Sequence, residues 1–242
     1  MIRWTRTILL AAFLAGTAMT APSAKALARS TPTPASEPAT HKIWYCQGGL
    51  EGFFPGDYYA CRAAYHLQRK HYGQFLEMLR EAAHWANKNA QYELGLTYFN
   101  GDIPGIPKNR PLGIAWLALA AERKNPAFQK VYTQACLQSS PEEIREAARL
   151  WKKLRLEYGD KIAGPRAIRR YNRAMEPFAL AARGGGITYI RGFSDFPEPA
   201  MLVVKKLQDI ADKDFADLQG TVTVGALHPL HDPEPTRTDG PR

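Results

Sequence analysis

No stretch of this 242-residue chain reaches the roughly 20 apolar residues that a membrane-spanning helix needs, and the apolar run Ile8 to Gly16 is too short. The common serine acyl-enzyme signatures are missing: no Ser has Lys three residues on, and there is no Lys-Thr-Gly and no Gly-x-Ser-x-Gly elbow. A serine hydrolase of those types is excluded. His66 and His71 are five apart, which does not put two ligands on one helical face, and His228, His231 and Asp232 fall in a Pro-rich tail, so both groups read as solvated. Gly184-Gly185-Gly186 neither follows a strand nor opens a helix with dinucleotide spacing, and reads as a hinge. Glu142 and Glu143 are adjacent and suit a helix N-terminus rather than acid–base work. No catalytic residue, metal ligand or cofactor site is therefore assigned.

The N-terminal residues 1–28 read as a secretory signal. Arg3 and Arg6 precede the apolar run, and Ala24-Lys25-Ala26 or Ala26-Leu27-Ala28 supplies a small-x-small cleavage site. A retained anchor is the alternative. No Cys follows closely, which argues against lipidation. Removal of Arg3, Arg6 and Lys25 lowers the formal charge from +9 to +6.

Between them and the tail lies a repeated pattern. Ala82-Ala83 recurs 38 residues later as Ala120-Ala121, and a fixed period of that size marks helix pairs that must stack to bury their apolar faces. Ala90, Leu94 and Tyr98 form one stripe of a helix starting near Lys88 and closed by Gly101. Gly95 within it costs about 1 kcal/mol relative to Ala, a loss that a second backbone packed closely there would account for. After the Pro104-Gly105-Pro107 loop, Asn109 caps a second helix with Pro111 in its first turn and the stripe Leu112, Trp116 and Ala120. One period back, Cys61 to Lys70 and Gln74 to Trp85 read as an earlier pair. One period forward, Phe128, Tyr132 and Cys136 form one helix face, and the capping box Ser140-Pro141-Glu142-Glu143 opens a helix with the stripe Ile144, Ala147, Ala148, Trp151, Leu154 and Tyr158, stopped by Gly159.

The pattern carried by Ala90, Leu94, Gly95, Tyr98, Gly101, Trp116, Ala120 and Ala121 resembles the Sel-one-like repeat family, relatives of the tetratricopeptide repeat. Gly113 stands where the family usually has Ala, and the loop Asp102 to Lys108 is longer than its usual turn. The resemblance implies an all-α fold in the main, a right-handed α-α solenoid of helix pairs acting as an interaction scaffold. Some members carry a regular Cys pair in each repeat and are linked to penicillin binding, a regularity this chain lacks.

The three cysteines divide by context. Cys46 and Cys61 flank a turn-rich segment in a chain bound for an oxidising space, and a bridge closing that loop contributes about 3 kcal/mol in the chain-entropy account. Cys136 continues the Phe128 and Tyr132 stripe and reads as a buried reduced thiol. From Arg145 to Arg173 there are ten Lys or Arg residues, against Glu146, Glu157 and Asp160. This run suits an anionic lipid, polysaccharide or acidic protein, with Arg149, Lys152 and Arg169 as candidate binding residues; a solvated helix face is the simpler reading. The compartment and the absence of interleaved aromatics disfavour nucleic acid.

Further on, Pro165 to Met175 and Pro199 to Phe215 read as helices, and Ile187 to Ile190 with Thr221 to Val224 as two short paired strands. The domain reading is a signal at 1–28, a disordered linker at 29–40, the helical repeat domain at 41–159, a helical extension with short strands at 160–227 and a disordered tail at 228–242. The expected function is a periplasmic or secreted scaffold that contacts a protein or cell-envelope partner and has no membrane span after signal cleavage. The alternative is an envelope hydrolase of cell-wall or β-lactam substrates whose site is built from dispersed residues. Intact-mass analysis of protein from its native compartment should lack the segment up to Ala26 or Ala28; a full-length cytosolic species would contradict export.

Overall fold

The structure is a computed structural model that describes residues 46–216 and Leu218. The signal, the linker, the tail and Thr221 to Val224 lie outside the described residues. Eight α-helices dominate: α1 (Pro55–Gln68), α2 (Tyr72–His84), α3 (Lys88–Asn100), α4 (Arg110–Ala120), α5 (Pro126–Leu137), α6 (Pro141–Tyr158), α7 (Asp160–Arg183) and α8 (Ala200–Asp214). The strands β1 (Ile187–Thr188) and β2 (Glu198–Pro199) precede α8. The fold is a mainly α helical repeat.

Local chemistry sets the helix ends. The Asn87 side chain accepts from the Ala90 N–H, Asn109 from Leu112, and Asn125 from Ala127, so α3, α4 and α5 begin on asparagine caps. At α6 the Ser140 hydroxyl accepts from the Glu143 N–H while the Glu143 carboxylate accepts from the Ser140 N–H, a complete capping box. Gly101 ends α3 in the left-handed region at φ 66°, and a Cβ there would lie 2.5 Å from Lys108 Cβ.

Helix α1 pairs with α2 and α3 with α4, with α2 packed on α3. The α3–α4 crossing explains both helical glycines. A Cβ on Gly113 would lie 2.6 Å from Phe99 N and 2.8 Å from Gly95 O, and one on Gly95 would lie 2.6 Å from Leu117 Cγ. Gly113 thus has no room for a side chain because the α3 backbone occupies the space of a methyl group. Leu94, Leu96, Leu117 and Leu119 are fully buried around this contact.

The third pair departs from the expected stack. Helix α6 lies mainly against α4 and hardly touches α5, whose own contact is with α4. The predicted α6 stripe is only partly covered: Ala147 is buried, whereas Ala148 is exposed and Ile144 is 39% exposed. Arg110 anchors the α5–α6 turn instead, donating to Glu143 (3.0 Å), the Ser139 hydroxyl (3.0 Å) and the Gln138 carbonyl, with its guanidinium over the Phe99 ring.

One expectation for the C-terminal region is corrected. Helix α7 starts directly after Gly159 and runs through Pro165 and Pro177, well beyond the Pro165 to Met175 stretch. Each proline forfeits a ladder bond, and burial of Ala163, Ala167, Tyr171 and Met175 along one face offsets that loss. Strand β1 pairs antiparallel with β2, Ile187 opposite Pro199 and Thr188 opposite Glu198, a partner in the segment before α8; the expected partner Thr221 to Val224 lies outside the described residues.

Cys46 and Cys61 are bridged, with Cα atoms 5.7 Å apart, which fixes the turn at Gly48–Leu50 to α1. That segment does more than cap the array. Phe53 and Phe54 enter a cluster with Tyr171 and Met175 of α7 and Val203 and Leu207 of α8, and the Gly49 N–H donates to Arg191 O at 3.1 Å. A Cβ on Gly49 would lie 2.3 Å from that carbonyl. The start of the described chain is therefore packed on its last helices. Cys136 is free and half-buried rather than fully buried; desolvation pushes its thiol pKa up, opposed by a hydrogen bond with Tyr132.

Trp116 is 3% exposed and meets the Tyr158 ring edge to face at 4.7 Å. Trp116→Ala should cost about 3–5 kcal/mol through the cavity it leaves. Gly95→Leu and Gly113→Ala should each cost about 1–3 kcal/mol by overpacking. Urea midpoints measure all three, and unchanged midpoints would contradict the α3–α4 contact.

Candidate functional site

Behind the repeat surface lies a buried group of ions that the sequence does not announce. Lys88, 7% exposed at the start of α3, points its ammonium at Leu119 O (2.7 Å), Gln91 Oε1 (3.0 Å), Glu122 Oε2 (3.1 Å) and Asp160 Oδ1 (3.1 Å). Arg123 grips Asp160 with two nitrogens (3.1 and 3.2 Å) and donates to Ala86 O and Asp214 O. Glu122 also accepts from the Asp160 N–H, which satisfies the first turn of α7. Two cations face two anions, so the cluster is formally neutral. Burial pulls the Lys88 ammonium pKa down, and the charges of Asp160 and Glu122 oppose that shift.

Beside it runs a trough produced by the splayed third pair. Its lining is rich in small residues, with Ala115 and Ala118 of α4, Ala121 just after it and Ala147 and Ala148 of α6, together with Ile114, Tyr132, Ile144 and Trp151. The trough holds about 580 Å³ and is open to solvent. At Trp151 it meets a second depression of about 440 Å³ whose lining includes Lys124, Arg155 and Lys161. Arg110 pairs with Glu143 at the N-terminal ends of α4 and α6, and the Lys88 cluster joins their C-terminal ends, so the two helices run side by side in one direction. The apolar trough consequently leads toward a cationic end.

The three basic residues singled out from sequence are all exposed. Arg149 pairs with Glu146 at 3.0 Å and Arg145 with Glu142 at 2.7 Å, exposed i,i+3 contacts of small energetic value. Arg166 is structural, donating to His84 O and Glu157 O. No side-chain hydrogen bond or ion pair among the described residues ties Lys152 or Arg169 to Arg149, so nothing in the contacts joins the three into one pocket.

A family model for the Sel1 repeat matches residues 88–125. Over these residues the chain is similar to the Sel1 repeat. No curated protein and no solved structure matches the chain. The matched segment begins on Lys88 and ends on the Asn125 cap of α5, and it contains both crossing glycines. Lys88, Gln91, Glu122 and Arg123 belong to the Sel1 repeat, while Asp160, the Tyr158 carbonyl accepting from Gln91 (2.9 Å) and the Asp214 carbonyl lie outside it. The repeat's polar side chains thus hold the helices that follow. Sequence reasoning passed over them because a single Lys, Glu, Arg or Asp at a helix end reads as solvated. The available signal was a Lys at the first position of α3, where the helix dipole disfavours a cation.

The Sel1 repeat also borders a cavity of about 280 Å³, lined by Phe53, Phe54, Trp85, Asn87, Arg123, Asp57, Asp214 and Phe215 among others. Asp57, in the first turn of α1, accepts from Asn87 Nδ2 at 2.7 Å. Burial, followed by a hydrogen bond with Asp57 and that residue's charge, pushes the Asp214 carboxyl pKa up to about 8, against the opposing pull of Arg123 and Lys213. A raised folded pKa means the native state holds the proton more tightly than the unfolded chain. The stabilisation is full below the unfolded value of 3.8, declines as pH rises and is gone above about 8. Asp214→Asn should therefore flatten the fall in urea midpoint between pH 5 and 8. An unaltered pH profile in the variant would remove Asp214 as its source.

Proposed function

We infer that this chain shares the protein–protein interaction role that Sel1 repeats generally have. We propose that this protein is an exported, periplasmic or secreted, interaction module whose stacked helices engage a protein or cell-envelope partner. The observation that carries this reading is the solvent-open trough left between α4, α5 and α6, an apolar surface that the fold leaves uncovered among the described residues. The basic run from Arg145 to Arg173 supports an acidic partner or an anionic surface, since Lys152, Arg169 and their neighbours are exposed. The order of charged, apolar and small residues at the N-terminus supports export.

An envelope hydrolase is favoured by one observation, the shifted Asp214 beside Asp57 in a cavity with aromatic walls. A carboxyl that holds its proton near neutral pH is what a general acid requires. The binding reading is preferred because the same carboxyl sits where α8 meets α1 and has a structural role there.

Crosslinking in the native compartment, followed by capture of the tagged protein, tests the proposal. A discrete partner should be recovered, and Arg149→Glu with Lys152→Glu and Arg169→Glu should weaken its capture and flatten the salt dependence at unchanged thermal stability. Peptidoglycan or nitrocefin turnover by the purified protein, abolished in a folded Asp214→Asn variant, would instead establish the hydrolase.

A further inference from the structure

We infer that the α4–α5–α6 trough is a docking groove for a peptide segment of the partner that presents aliphatic side chains followed by carboxylates. This rests on the interaction-module reading and names its surface and the chemistry of its ligand. The lining of the trough includes alanine from both α4 and α6, so the helices leave depth where larger residues would fill it. Ile144, 39% exposed, and the exposed methyl of Ala148 face it, although the pattern of α6 marks both for burial. An aliphatic side chain entering here removes apolar surface from water on both sides.

Charge fixes the other half of the ligand. Where the trough reaches Trp151, Arg155 lies with its guanidinium carbon 4.5 Å from the centre of the indole ring, and Lys124 and Lys161 line the adjoining depression. Glu122, Arg123 and Asp160 also border that depression, but their charges are balanced within the Lys88 cluster. Lys124, Arg155 and Lys161 make no ion pair among the described residues, so the end of the groove carries uncompensated positive charge. Carboxylates placed there gain charge-assisted hydrogen bonds, and Arg155 can bind one in a bidentate manner. A basic segment is repelled at the same place, which gives the groove its direction as well as its preference.

The test is peptide display selected against the purified protein, with the strongest sequence resynthesised, labelled and titrated by fluorescence anisotropy. Enrichment of Leu, Ile or Met anchors followed by Asp or Glu is expected. Ala148→Trp, which fills the trough from an exposed position, should weaken the labelled peptide at least about tenfold, equivalent to 1.4 kcal/mol. Arg155→Glu with Lys161→Glu should weaken it similarly at low salt and remove most of its salt dependence. Circular dichroism melts confirm that each variant is folded. Selection of basic peptides, of no consensus, or of peptides whose binding is indifferent to Ala148→Trp would overturn the inference. So would sedimentation showing a dimer that Ala148→Trp dissociates, because the groove would then belong to a second copy of the chain. Partner capture that persists in a folded Ala148→Trp variant would reject this groove while leaving the interaction-module reading intact.

Discussion

A lysine ammonium cannot be taken out of water unless acceptors replace its hydration, and the fold is organised around meeting that demand at Lys88. Leu119 O fixes its position against the end of α4, Glu122 comes from the turn after α4, and Asp160 comes from the start of α7. Arg123 then carries the same network to Ala86 before α3 and to Asp214 at the end of α8. Five separate parts of the chain are thus fixed relative to one another by a few polar atoms. Because unpaired burial is costly and a shifted helix would lose several partners together, the cluster disfavours alternative packings more than it adds to stability.

The same constraint accounts for the open groove. The cluster and Arg110 hold α6 along α4 at both ends, while α5 is attached through its own contact with α4 and the Tyr92–Phe128 ring stack. With α6 fixed there, Ala118 and Ala148 are left accessible beside α5, while Ala115 and Ala147 are buried. A cavity small enough to be filled by side chains would have closed; this one stays open because Ala115, Ala118, Ala147 and Ala148 have nothing further to extend.

Much of the fold was legible in the sequence because its signals are local. The asparagine and serine caps, the left-handed Gly101 and the bridge between Cys46 and Cys61 all act within a few residues or one short loop, and each appears where the pattern places it. Gly95 announced a close crossing without naming the partner atoms, and the tight approach at Gly113 emerged only from the packing. What the pattern could not express was long-range. An apolar stripe on α6 states that burial is favourable, not that α4 will cover Ala147 and leave Ile144 and Ala148 bare. The pairing of Ile187 with Pro199, the insertion of Phe53 and Phe54 between α7 and α8, and the meeting of Asp57 with Asp214 depend on how the chain closes on itself. Charge composition correctly indicated a basic surface but drew attention to exposed Arg149, whose side chain contacts only its neighbour Glu146, while Lys88 and Arg123 hold the structure together.

The central claim is that Lys88 and Asp160 stabilise the packing of the Sel1 repeat against the helices that follow as one coupled unit. A double-mutant cycle of Lys88→Met and Asp160→Asn, read from urea unfolding at pH 7 and moderate salt, measures this directly. Each single substitution should be markedly destabilising, and the double variant should recover part of the loss, with a coupling energy of about 1–3 kcal/mol. Losses that add to within about 0.5 kcal/mol would show instead that the two side chains act independently.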